Sequence, residues 1–382
     1  MRQPRTEHRP RPRRFARTVA AAAVALAAVL GAGGWACDTQ HPVTGPPPGT
    51  AGWVADTTLG LRLPDPATAS PAAVAAFFAE LPTARQDALA VRHPLVVGNL
   101  DGAPVGLRHR ANALALAEER GRELARAADP ALTPQDRTTA RERAERYRTL
   151  LDGDRRILAF DPRGRGQVAE VLGDLATAPR TAVVVPGSDI DLRSFDRPTD
   201  PYGTPAGMAR ALYEATGRQT AVIAWAGYTT PVGLGPDAAT ETLARAGARR
   251  LTRLLDGLAV TTRPAAPATV FCHSYGSVVC GLARPGPEQA AALVVLGSPG
   301  MGVGSAADLD PRVPLWATRR NGSDWIGDVP NVSLLGLGHG ADPTGRAFGA
   351  RPLPATGSHG HTGYFAPGTA SLAAYAALAL GR

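Results

Sequence analysis

From about residue 155 the chain repeats one pattern: short unbroken apolar runs alternate with longer segments whose apolar residues recur every three or four positions. TAVVVPG leads into TPAGMARALYEATG, and AVIAWAGY leads into ATETLARAGARRLTRLLDGL. ATVFCHS runs into YGSVVCGLA, and AALVVLGSPG and VPLWATRR follow. Strands without polar alternation need cover on both faces, so the pattern predicts a mostly parallel sheet between helices. RILAFDP and QVAEVLG flank the turn RGRG and read as an antiparallel hairpin at the start of that sheet. FGARPLPA reads as the last strand, and TASLAAYAALALG as the closing helix. Upstream the pattern is helical. Ser70 and Pro71 open one helix as cap and first residue, and Leu107 to Ala128 forms another. Thr133 caps a third, with Asp136 in its acidic first turn.

Composition changes this picture at the N-terminus. The 382 residues carry a net charge of +8, but seven arginines against Glu7 alone in residues 1–36 account for +6 of it, leaving +2 for the rest. There is no lysine, and no basic face with interleaved aromatics follows residue 37, which argues against a nucleic-acid partner. The arginine-rich start followed by TVAAAAVALAAVLGAGGWAC reads instead as an export segment, either cleaved near Ala36 or kept as a membrane anchor through residues 18–37. The positive arm would stay cytoplasmic and the remainder would lie outside the bacterial cell membrane. DTQHPVTGPPPGT then reads as a Pro/Gly spacer. The expected organisation is a leader over 1–37, a linker over 38–55, a helical region over 56–153 packed on the sheet domain, and that domain over 154–382. Cys37, Cys272 and Cys280 offer no metal spacing; Cys272 and Cys280 are expected to be separate buried thiols, since a strand-to-helix turn between them disfavours a bridge.

Candidate chemistry centres on TVFCHSYGSVVCG, where Ser274 stands at a strand-to-helix junction with small residues, Cys272 and Gly276, two places before and after it. That spacing suits a nucleophilic serine at the strained apex of a tight turn. A plainer reading makes Ser274 the cap of the following helix. A serine nucleophile needs an imidazole base held by a carboxylate, met in the chain order serine, acid, histidine. His361, after the last strand and before the closing helix, is the candidate base, with His339 and His359 as alternatives. His273 is expected to point away along its strand. Asp324, after VPLWATRR, is the candidate acid and Asp328 the alternative. Backbone N–H donors for an oxyanion are expected from Tyr275 and from Gly187 or Ser188. LGSPGMGVG lacks the lysine of a phosphate loop and reads as a strand-end loop lining the cleft, with Ser298 as a second candidate nucleophile. Nothing in the sequence points to a metal or dinucleotide cofactor.

At these residues the chain resembles a family of bacterial α/β-hydrolase-domain proteins of largely unassigned substrate. The resemblance runs from about FFAELPTARQDALAVRHPLVVGNLDGAPVGLRHRAN to the C-terminus and includes VLGDLATAPRTAVVVPGSD, AWAGY, CHSYGS and HTGYF. The family usually has glycine where this chain has Cys272. The resemblance implies an α/β-hydrolase-like fold with a helical N-terminal extension, and it implies Ser274 and His361 as functional positions, with Asp324 less firmly. The sequence-based expectation is an exported serine hydrolase acting on a small-molecule or lipid-like carboxylic ester through an acyl-enzyme. A non-catalytic binding protein on the same scaffold, or a peptidase or thioesterase using the same residues, is the competing expectation.

Overall fold

The computed structural model describes residues 39–262, 267–318, 321–333 and 336–382. The expected leader, with Cys37, lies outside the described residues. Among those that are described, no helix is long and apolar enough to cross a membrane.

Eight strands form the main sheet: β1 (Arg156–Asp161), β2 (Gln167–Leu172), β3 (Arg180–Val185), β4 (Thr220–Ala226), β5 (Ala268–His273), β6 (Ala290–Leu296), β8 (Leu315–Thr318) and β10 (Arg351–Leu353), in the order β1-β2-β4-β3-β5-β6-β8-β10. β1 pairs antiparallel with β2, and β2 with β4; all other pairings are parallel. β7 (Gly300–Val303) and β9 (His339–Gly340) make a separate two-stranded ribbon. The alternation of side chains explains the unbroken apolar runs. Val183, Val185, Val270 and Cys272 enter one core, while Ala182, Val184 and Phe271 enter the core on the opposite face. The first core lies under α9 (Thr242–Thr261), through Leu251, Leu254, Leu255 and Leu258, and under α10 (Gly276–Ala283). The second lies under α7 (Pro205–Ala215) and α11 (Ala370–Ala379), where Phe271 meets Tyr375 with ring centroids 5.4 Å apart. Helix α8 (Pro236–Ala239) is a single turn between β4 and α9.

The N-terminal helices α1 (Thr50–Ala55), α2 (Pro71–Ala79), α3 (Thr83–Arg92), α4 (Pro94–Asn99), α5 (Val105–Ala128) and α6 (Pro134–Leu151) have a small core of their own around Trp53, Phe78, Val97 and Leu107. They also solve a problem posed by the sheet. β1 is an edge strand whose outer N–H and C=O groups would otherwise be open to another chain. Asn99 behaves as a one-residue strand partner there: its Nδ2 donates to the Phe160 carbonyl at 2.6 Å, and its Oδ1 accepts from the Phe160 N–H at 3.1 Å. Asn112 and His109 both reach the Ile157 carbonyl. The helical region is therefore bonded to the sheet by buried and partly buried polar pairs.

Two expectations are corrected. Within the expected linker over 38–55, the described residues 39–55 are not a spacer. Thr50–Ala55 is helical, Trp53 is fully buried with its Nε1 donating to the Pro64 carbonyl at 2.7 Å, and the Val43 N–H donates to Thr229 Oγ1 at 3.0 Å. Arg163 donates to the carbonyls of Thr44 and Gly45. Prolines pre-set an extended backbone, so fixing such a segment against a surface costs less entropy than its composition suggests. Cys272 and Cys280 are not separate thiols but a disulfide, with Cα atoms 6.5 Å apart. Helix α10 begins immediately after the turn, Cys280 comes one turn later, and helical Cβ atoms lean toward the N-terminus. That lean carries Cys280 back over the end of β5, within bridging reach.

Candidate active site

The serine is placed by strain. β5 ends at His273, α10 begins at Gly276, and Ser274 between them has φ +54°, a left-handed conformation that non-glycine residues adopt only when their surroundings enforce it. The Ser274 N–H still donates to the Leu296 carbonyl at 3.0 Å, and its own carbonyl accepts from the Ser277 N–H at 2.9 Å. The turn is thus fixed on both sides. A Cβ on Gly276 would stand 2.6 Å from the carbonyl oxygens of Val185 and Pro186, which explains the small residue at this offset. A Cβ on Gly187 would meet the Ser274 side chain at 2.5 Å, so the backbone after β3 lies directly against the hydroxyl.

Two loops supply the rest. His361 Nε2 lies 2.8 Å from Ser274 Oγ, and His361 Nδ1 lies 2.8 Å from Asp324 Oδ1. With Nδ1–H donating to the carboxylate, Nε2 is the acceptor for the serine hydroxyl. The loops are stitched together: Asn321 Nδ2 donates to the Gly360 carbonyl, and the Gly360 N–H donates to Ser323 Oγ, both at 2.8 Å. Asp324 also caps the short turn Trp325–Asp328 by accepting from the Ile326 N–H at 3.0 Å. Its Oδ2 accepts from Tyr364 Oη at 2.5 Å. Burial pushes the Asp324 carboxyl upward, but the bonds from His361, Tyr364 and Ile326 outweigh it and hold the group below the ordinary aspartate range. Asp324 is therefore a carboxylate, with its side chain closed off from solvent.

The structure leaves the alternatives elsewhere. His339 is buried in the two-stranded ribbon, where its Nε2 bonds the Ala238 carbonyl at 2.7 Å and its ring meets Tyr275 edge-on. His359 is exposed, and Asp328 ends the short turn with its side chain outside this row of bonds. Ser298 donates to the Gly300 carbonyl and accepts from the Gly300 N–H, so its hydroxyl shapes its own loop. Of the expected oxyanion donors, the N–H groups of Gly187, Ser188 and Tyr275 meet no acceptor among the described residues. The Gly187 strand end is held by Tyr228, whose hydroxyl donates to the Pro186 carbonyl at 2.8 Å.

Sequence patterning misses four contributors. His273 does not point away: its ring packs 4.7 Å from that of His361, and its Nε2 bonds the His361 carbonyl at 2.8 Å. Burial, joined by the neighbouring His361, pushes the His273 pKa down to about 3, so the ring is neutral and Nε2–H is the donor. Gly297 ends β6 with φ +53°, and a Cβ there would lie 3.0 Å from His361 Cε1. Glycine makes the room the imidazole occupies. Trp325, partly exposed, tilts over His361 at 4.7 Å from the other side. Tyr364 lies inside HTGYF, the one stretch whose sequence could have flagged it.

The match to a family model agrees with this architecture. Residues 161–334 match a family model described as alpha/beta hydrolase, a span that includes Ser274 and Asp324 and stops short of His361. An uncharacterized protein of Mycobacterium tuberculosis is 29% identical over 399 residues, covering 90% of this chain and 57% of that protein. An uncharacterized protein of Mycobacterium bovis is 34% identical over 157 residues, covering 40% of this chain and 58% of the other. The chain thus spans less than two thirds of the length of these curated relatives. Among solved structures, esterase PE8 superposes with a TM-score of 0.35 at 16% identity, covering 55% of this chain and 95% of that one. An arylesterase gives 0.36 at 11% identity, covering 69% and 96%. The mixed sheet with its parallel core and the helices on both faces have the α/β-hydrolase fold, and residues 161–334 are similar to that family.

Proposed function

We propose that the chain is a serine hydrolase of carboxylic esters, with Ser274, His361 and Asp324 as its catalytic triad and the bend at Ser274 as its nucleophile elbow. One observation carries the reading: a strained serine, an imidazole and a buried carboxylate stand in a single row of 2.8 Å hydrogen bonds. Ser274 Oγ attacks the ester carbonyl carbon while His361 Nε2 takes its proton. The carbonyl π electrons move to oxygen, and that oxyanion meets the N–H of Tyr275 and of Gly187 or Ser188. Collapse expels the alkoxide, which receives the proton from His361 and leaves the acyl group on Ser274. A water molecule, deprotonated by the same imidazole, attacks the acyl carbon; collapse breaks the bond to Ser274 Oγ, which takes the proton back from His361 as the carboxylic acid leaves. Asp324 stays ionised throughout, fixing the Nδ1–H tautomer and stabilising the imidazolium.

The same reading places the enzyme outside the cytoplasm, anchored to the membrane or released from it. It is supported by the arginine-rich apolar leader and by the Cys272–Cys280 disulfide, a bond that persists in oxidising compartments. The test is labelling with a fluorophosphonate probe together with turnover of a panel of p-nitrophenyl esters. Labelling and turnover are both expected, and both are expected to vanish in Ser274→Ala. A folded wild-type protein that neither labels nor turns over would favour the non-catalytic binding role.

A further inference from the structure

A second polar feature lies away from the serine. A cavity of about 310 Å³ opens between the N-terminal helices, the hairpin end of β1 and β2, the carboxyl end of β4 and one side of α9, roofed by the strap at residues 43–47. None of Ser274, His361 and Asp324 lines it. Its walls carry four arginines, Arg108, Arg249, Arg250 and Arg253, against two aspartates. Both aspartates are already engaged: Asp101 pairs with Arg108 at 3.0 Å and Asp161 with Arg163 at 2.6 Å. Arg253 donates only to the Ala69 carbonyl, and Arg250 makes no hydrogen bond or ion pair among the described residues. Arg250 is half-buried; desolvation lowers its proton affinity, and Asp161 and Asp101 only partly restore it.

Gln167 adds an independent observation. It is 3% exposed and lines the cavity, yet neither its Nε2 nor its Oε1 has a hydrogen-bond partner in the protein. A buried amide left wholly unpaired is rare unless something outside the protein completes it. The remaining surface is apolar, with Val96, Leu100, Phe160, Trp225 and Leu254 among the lining. The volume falls within the range of small-molecule sites.

We propose that this cavity binds a small amphiphilic anion, a carboxylate or phosphate monoester headgroup on a short apolar body, with the headgroup at Arg250 and Gln167. The guanidinium supplies charge and paired donors, the amide supplies a further donor, and the aromatic and aliphatic wall covers the tail. The site is independent of ester hydrolysis at Ser274, so it is tested in full-length Ser274→Ala protein, which removes turnover and acylation from the measurement. Titration calorimetry compares octanoate, octyl phosphate, inorganic phosphate and octanol.

Saturable binding of octanoate or octyl phosphate, at least tenfold tighter than octanol, is expected, and which of the two binds tighter identifies the headgroup. Adding Arg250→Gln is expected to weaken that binding at least tenfold while leaving the unliganded thermal midpoint equal or higher. Gln167→Glu, which sets a carboxylate against the headgroup, should weaken it at least tenfold as well and serves if the arginine variant does not fold. No saturable binding of either anion, octanol within tenfold of them, or a loss below tenfold in the folded variants would overturn the proposal.

Discussion

Two polar sites lie toward the carboxyl ends of the sheet, and they treat their hydrogen-bonding capacity in opposite ways. Around Ser274 the buried side chains are paired in a chain: Tyr364 and Ile326 on Asp324, Asp324 on His361, His361 on Ser274, and His273 on the His361 backbone. Around Arg250 the capacity is left open, with a guanidinium lacking an ion pair and an amide lacking any partner. A paired network fixes one geometry, which is what proton transfer over 2.8 Å demands. An unpaired group costs stability until a ligand arrives, which is what a binding site demands. On the two proposed roles, the difference separates a place prepared to react from a place prepared to receive.

The comparison is broken most directly at the carboxylate. Asp324→Asn keeps the shape but offers His361 the wrong partner and loses the charge that steadies the imidazolium. On the triad reading, kcat for an ester substrate should fall about ten-thousandfold with little change in KM. A loss below tenfold would mean that the row of hydrogen bonds is not the reacting system. The same variant should leave octanoate binding in the Arg250 cavity unchanged, because Asp324 takes no part in its lining.

How much of this is legible in the sequence depends on whether a feature is local. The strand-to-helix character of TVFCHSYGSVVCG singles out Ser274, and chain order singles out Asp324 and His361; the structure sets the three within hydrogen-bonding reach. The sheet was readable for the same reason, since a run such as TAVVVPG reports burial on both faces wherever it occurs. The Cys272–Cys280 bridge was not readable, because it depends on where α10 starts and so on which way the Cys280 Cβ leans. Nor was the edge cover on β1, which joins Asn99 to Phe160 across 61 positions. Gly297 is legible only after the fact: glycine at a strand end is common, and its role depends on an imidazole delivered from 64 residues later. The open Arg250 was hidden too, because an arginine on an amphipathic helix ordinarily faces water.

A smaller effect sharpens the role of His273. Its Nε2–H holds the backbone of His361, so His273→Phe keeps the volume but leaves the His361 carbonyl free to shift. A kcat loss of roughly tenfold is expected, about what a mispositioned but intact base would cost. The pH dependence of stability supplies a readout that activity does not. The folded state keeps His273 neutral down to about pH 3, whereas the unfolded chain takes up a proton near the ordinary histidine value. Below about pH 6.5 the unfolded state therefore binds more protons, and stability falls as the pH drops, by up to roughly 1.4 kcal/mol per unit toward pH 3. His273→Phe should remove that share of the slope. An unchanged slope in urea titrations between pH 6 and 4 would show that His273 is not the buried neutral group described.

The smallest effects test the comparison itself, because the two sites predict opposite signs for the same kind of change. Tyr364→Phe deletes a donor from a closed network and leaves Asp324 Oδ2 buried with one bond fewer, which should destabilise the fold by about 1–3 kcal/mol. Gln167→Leu deletes two polar atoms that have no partner and replaces them with apolar volume against an apolar wall. That change removes a standing desolvation cost, so it should stabilise the unliganded protein by about 1 kcal/mol. Urea unfolding of both variants beside the wild type measures the pair. Were Gln167→Leu to destabilise as Tyr364→Phe does, the amide at Gln167 would be satisfied within the folded protein, and the contrast between a closed site and an open one would fail at that residue.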